Sequence, residues 1–124
     1  MRLTNEDIEQ IKIWIAALRS GEYKQGRMML QSLDNTYCCL GVACKVLIPH
    51  DKLKLYHDGV IAGSTPHEQS NAPEWLKRID GEFGRYWGDS LVYLNDTGKY
   101  TFEWIADMLE HFINLKKPIQ NETN

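Results

Sequence analysis

Apolar side chains recur at Ile8, Ile11, Trp14, Ile15 and Leu18, the three- and four-residue spacing of one helical face. Thr4 or Asn5 can cap that face, and Thr4-Asn5-Glu6-Asp7 approximates a capping box with Asp in place of Glu. Arg19 falls in the last turn and Gly21 supplies a stop, so the spacing predicts a helix over about 5–20. A second such stripe, Phe102, Ile105, Met108, Leu109 and Phe112, follows Thr101 as N-cap, with Tyr100 and Ile105 placed to form a hydrophobic staple. It predicts a helix over about 102–114.

Between these ends the pattern changes. Residues 22–27 are polar and read as a loop, and Met28-Met29-Leu30 before Asp34-Asn35 reads as a short strand near 28–33. The apolar run from Tyr37 to Ile48, ended by Pro49, reads as a strand edge at 36–38 passing into a buried helix at 39–47. A long central strand over the same residues is the alternative, because a continuous apolar run has no period to decide it. His57-Asp58-Gly59 between Leu55-Tyr56 and Val60-Ile61 predicts a hairpin within 53–63, followed by a polar loop to Ala72. Pro73 at a favourable first helical position opens a short helix through Ile79, and Gly81, Gly84 and Gly88 punctuate the aromatic stretch after it. The expected fold is α+β: a small helix-rich domain with two amphipathic terminal helices, a buried central helix and a small antiparallel hairpin or sheet.

Composition narrows the class. The 124 residues are 43% hydrophobic and 25% charged, enough for one core. We expect a single domain over 1–115 and a polar tail over 116–124. No run reaches the length of a membrane span and the N-terminus has no apolar leader, which points to a cytoplasmic protein. Three cysteines, two of them adjacent, read as buried thiols in a reducing compartment. A net charge of −3 argues against duplex nucleic acid as a partner but leaves room for a local basic pocket.

Candidate chemistry is sparse. Cys38, Cys39, Cys44 and His50 lack the spacing of a zinc site, so no metal is expected. Cys38 or Cys39 at a helix start could be an activated thiol, yet no histidine falls in a recognisable motif beside it. Asp107 and Glu110 read as the solvated face of the last helix. Asn95-Asp96-Thr97-Gly98 reads as a turn before that helix, or as a polar rim that hydrogen-bonds a ligand. No glycine-rich phosphate motif is present, but Arg19 to Arg27 joins two arginines, a lysine, a glutamine and two glycines in a connector that suits a phosphate. Tyr86, Trp87, Tyr93 and Tyr100 cluster around turn residues rather than at helical spacing, as base-stacking or interface aromatics do.

Two segments carry a resemblance. Trp14 to Gly26 with Tyr37-Cys38-Cys39-Leu40-Gly41-Val42-Ala43-Cys44, and Leu94-Asn95-Asp96-Thr97-Gly98-Lys99 with Phe102 and Ile105-Ala106-Asp107, resemble a family of small proteins encoded by bacteriophages and prophages. The family often has Leu at Ala43 and Asp at Lys45, and the likeness does not carry through 48–85. It implies a context and no activity. In that context the expectation is a counter-defence protein, not an enzyme and with no cofactor, that sequesters a small nucleotide-type immune signal in the host cytoplasm. Arg19, Lys24, Gln25 or Arg27 would meet phosphate, Tyr37, Trp87 or Tyr100 a base, and Asn95 or Asp96 a ribose. A homo-oligomer would let loops of two subunits enclose the ligand. The rival expectations are an inhibitor that binds a host defence protein and a small cysteine-dependent enzyme.

Overall fold

The computed structural model describes residues 3–49 and 74–116. Helix α1 runs Asn5–Arg19 and opens on a complete capping box. The Asp7 backbone N–H donates to Thr4 Oγ1 at 3.0 Å, and the Thr4 N–H donates back to Asp7 Oδ2 at 3.1 Å. Gly21, at φ +79°, turns the chain just after the helix. Helix α5, Phe102–Lys116, runs antiparallel to α1, and the Leu3 N–H donates to the Lys116 carbonyl at 2.9 Å to tie their far ends. Thr101 caps α5 as its side chain accepts the Trp104 N–H at 3.1 Å. Tyr100 lies against Trp104, with ring centroids 4.2 Å apart. The two stripes meet in the core, where Trp14, Ile11, Ile105, Leu109 and Phe112 are fully enclosed.

The β component departs from expectation. Strands β1 (Lys24–Gln25) and β2 (Thr36–Tyr37) pair in parallel, with Lys24 opposite Thr36, so the two-stranded sheet is not antiparallel. They flank residues 28–33, which do not form a strand. Met28 at φ +70° and Asn35 at φ +63° bend the segment out of extended geometry, leaving one antiparallel bridge from Gln31 to Tyr37. The expected hairpin within 53–63, the loop after it, Pro73 and the tail beyond Lys116 lie outside the described residues.

Helix α2, Cys39–Leu47, follows β2 directly, so the apolar run is a strand edge and a helix rather than one long strand. A Cβ on Gly41 would sit 1.7 Å from the Leu30 carbonyl oxygen, so only glycine lets the 28–33 segment cross α2 this closely. Helix α3, Glu74–Trp87, is longer than its sequence suggests. Gly81 and Gly84 fall inside it, and burial of Leu76, Ile79 and Phe83 offsets their poor helix propensity. It ends where Gly88 reaches φ +97°. Helix α4, Leu91–Asp96, is then capped by Ser90, and Asp80 of α3 accepts the Leu91 N–H at 2.6 Å. Burial pushes the Asp80 carboxyl above its ordinary pKa, partly countered by the backbone N–H groups of Leu91 and Val92. Phe83 meets Phe112 edge to face at 5.5 Å, which joins α3 to the α1–α5 core. The protein is thus α+β and mostly helical, and no described helix is long and apolar enough to cross a membrane.

Candidate functional site

The N-termini of α2 and α5 are capped from a distance by two side-chain amides that also bond each other. Asn95, fully buried near the end of α4, accepts the Cys39 N–H of α2 at 3.1 Å through its Oδ1. Gln25 of β1 accepts the Phe102 N–H of α5 at 3.1 Å through Oε1. The Gln25 Nε2 donates to Asn95 Oδ1 at 3.0 Å and to the Tyr100 carbonyl at 2.9 Å. Asn95 Nδ2 donates to the Gly26 carbonyl at 2.9 Å and to Asp96 Oδ1 at 3.2 Å. That oxygen also accepts the Met28 N–H at 2.8 Å, which holds the left-handed turn at Met28. Each amide therefore satisfies backbone groups that burial would otherwise leave unpaired.

Beside this frame opens a cleft of about 220 Å³, lined by Gln25, Gly26, Arg27, Asn95, Gly98, Lys99, Tyr100 and Thr101. Four of the residues nominated from sequence, Gln25, Arg27, Asn95 and Tyr100, come together here, and Asp96 adjoins them. Gln25 and Asn95 spend their polar atoms on the frame. Arg27 and Lys99 are exposed and make no side-chain hydrogen bond or ion pair among the described residues. Gly98, at φ +74°, has the Arg27 guanidinium over it: a Cβ there would lie 2.6 Å from its Nη1. The positive end of the α5 macrodipole faces the same space.

A family model for DUF8296, a domain of unknown function, matches residues 5–81. The chain belongs to the DUF8296 family. No curated protein and no solved structure matches it. The DUF8296 match covers Trp14–Gly26 and Tyr37–Cys44, takes in the middle of the chain, and ends within α3 before Leu94-Asn95-Asp96. The cleft thus pairs Gln25, Gly26 and Arg27 from inside the DUF8296 match with Asn95 of α4 and the α4–α5 connector from beyond it.

The other nominated residues of this DUF8296 chain sit elsewhere. Arg19 is held by two carboxylates of α5, Asp107 at 2.7 Å and Glu110 at 2.8 Å, so these acids do more than solvate a helix face. Lys24 is exposed on β1 and is not part of the cleft wall. Tyr37 is buried edge-on against Tyr23, its hydroxyl accepting from Gln31 at 3.2 Å, and presents no face to a base. Trp87 packs among Phe83, Tyr86 and His111 on the α3 side.

The cysteines are core residues. Burial pushes the Cys38 and Cys44 thiols up to about 12, and burial together with the neighbouring Cys38 raises Cys39 well above its ordinary value. Cys39 Sγ is within hydrogen-bonding reach of the Leu91 carbonyl at 3.5 Å. These thiols are protonated at neutral pH and have no exposed face for a substrate. Among the described residues no group of three or more His, Cys, Asp or Glu side chains could hold a metal ion.

Sequence reasoning missed Lys99 and Thr101 in the cleft, and Trp104 behind Tyr100. A signal for the first was present: Lys99 follows directly on Asn95-Asp96-Thr97-Gly98, the segment read as a turn or a polar rim.

Proposed function

We propose that the chain is a binding protein for a small phosphate-bearing ligand of nucleotide type, which it holds without turning it over. The observation that carries this reading is the pair Arg27 and Lys99, two cations without an acidic partner among the described residues, set on a rigid hydrogen-bonded frame at the start of α5. A guanidinium and an ammonium beside a helix N-terminus suit a phosphate, the guanidinium giving two parallel contacts. Asp96 accepts from the Met28 N–H and Asn95 Nδ2 through Oδ1, which leaves Oδ2 to accept from a ribose hydroxyl. Tyr100, stacked on Trp104, supplies the aromatic surface for a base.

At about 220 Å³ the cleft is smaller than the roughly 300–1,000 Å³ that encloses an ordinary ligand. It fits the phosphate and adjoining sugar, with a second copy of the chain covering the remainder. In the phage setting that the sequence resemblance implies, the ligand is a host immune signal, a cyclic nucleotide or an ADP-ribose derivative, and holding it is the counter-defence. The protonated, buried cysteines support retention over cysteine-dependent turnover.

The test is to incubate the protein with a panel of cyclic nucleotides and ADP-ribose derivatives, remove free ligand, denature by heat and identify what is released by mass spectrometry. One compound released intact is the expected result. A chemically altered compound would make the protein an enzyme, and no retained compound would remove the reading.

A second reading, an inhibitor that binds a host protein, has one observation in its favour. Met28, Met29 and Leu33 are 50%, 38% and 77% exposed in the segment next to the cleft, where adaptable methionines suit a protein interface. It predicts a complex recovered with a host enzyme and no nucleotide.

A further inference from the structure

A second hollow lies beside the C-terminal half of α2, between α1 and α3, and nothing in the reading above uses it. It measures about 380 Å³, within the range of small-molecule sites. Its floor is apolar: Ala43 and Leu47 of α2, Ile48 just after it, and Leu76 of α3. Trp75 forms one wall, and α1 supplies a polar edge of Glu6, Asp7 and Gln10.

Among the described residues its lining carries two carboxylates, Glu6 and Asp7, and no Lys or Arg. Asp7 is already engaged: its Oδ1 accepts from Trp75 Nε1 at 2.7 Å and from Arg78 at 3.0 Å, and its Oδ2 from the Thr4 N–H. These bonds fix the Trp75 ring as a wall. Glu6 is exposed and its carboxylate makes no hydrogen bond or ion pair among the described residues. An apolar floor of this size beside one uncommitted carboxylate is complementary to a ligand with an apolar body and one ammonium group.

We propose that this hollow is a binding site for small amphipathic amines, the apolar body on Leu47, Ile48, Leu76 and Trp75 and the ammonium on Glu6. The site is separate from the Arg27–Lys99 cleft and takes ligands of opposite charge. It stands whether or not the cleft binds a nucleotide.

Phenethylamine, phenethyl alcohol and phenylacetate share one body and differ in charge, and they serve as probes. Titrations followed by NMR shifts of the Ala43, Leu47 and Leu76 methyl groups read the site directly. Saturable binding in the order amine, alcohol, acid is expected. Glu6→Gln is expected to weaken the amine about three- to five-fold, the size of an exposed ion pair, and to leave the alcohol unchanged. Leu47→Trp, filling the hollow, is expected to abolish saturation for all three while the helical circular dichroism is retained. If that variant unfolds, the Glu6→Gln comparison decides alone. Arg27→Gln should change none of these titrations. Absence of saturation at Ala43 and Leu76, or an amine that binds no better than the acid, overturns the proposal.

Discussion

At the scale of single residues, the candidate site divides into side chains that hold the fold and side chains left over for a ligand. Asn95 belongs to the first group. Replacing it by Ala removes the acceptor for Cys39 N–H and Gln25 and the donor to the Gly26 carbonyl, all in a buried setting. Each orphaned buried group costs about 1–3 kcal/mol, so Asn95→Ala should lose about 3 kcal/mol or more in urea denaturation. Arg27→Gln and Lys99→Gln, changes at exposed side chains, should stay within about 0.5 kcal/mol of the parent. A small loss at Asn95 would mean that the amide frame is not what joins α2 to α5. Asn95 was legible as a polar residue of interest, but not as a buried strut. Its helix has only Leu91 and Leu94 as buried apolar positions, too short a run to show a period. Gly41 was legible only as part of a motif. Its reason, the Leu30 carbonyl pressed against it, is a long-range contact that one sequence does not display.

At the scale of elements, the long amphipathic helices and the strand edge at β2 were readable, whereas β1 and the parallel pairing were not. α1 and α5 bury a stripe repeated over several turns, whereas β1 and β2 are two residues each and have no alternation to read. α1 also carried a signal that goes beyond its cap. Asp7 falls on the same face as Ile11, Trp14 and Leu18, so a carboxylate on the buried stripe had to find partners. It finds Trp75 and Arg78 of α3. Burial alone would raise its pKa, but the hydrogen bonds from Trp75, Thr4 and Arg78, with the Arg78 charge, outweigh that and hold the carboxyl below its ordinary value. A depressed folded-state pKa gives stability that is present above the unfolded carboxylate pKa and lost as pH falls through the folded one. Asp7→Asn should therefore lower the melting temperature near neutral pH, with the difference from the parent shrinking as the pH is taken below the ordinary carboxylate range. A difference independent of pH would show that the charge of Asp7 contributes nothing to joining α1 and α3.

At the scale of the whole molecule, the family match and the folded unit do not coincide. The DUF8296 match ends at residue 81, inside α3, while α5 supplies the main partner of α1 and α4 supplies Asn95. The sequence resemblance joined the Trp14–Gly26 segment to Leu94–Lys99, and those two segments supply Gln25, Gly26, Asn95, Gly98 and Lys99 of the cleft wall. The functional account rests on Arg27 and Lys99 beside the Tyr100–Trp104 aromatic pair. The most direct measurement is a titration of isotope-labelled protein with ADP-ribose, followed by backbone amide shifts. The account predicts saturable shifts centred on Gly26, Arg27, Gly98, Lys99 and Thr101, lost in the Arg27→Gln, Lys99→Gln double variant while its fold is retained. Saturable shifts centred away from these residues, or the same titration in the double variant, would contradict it.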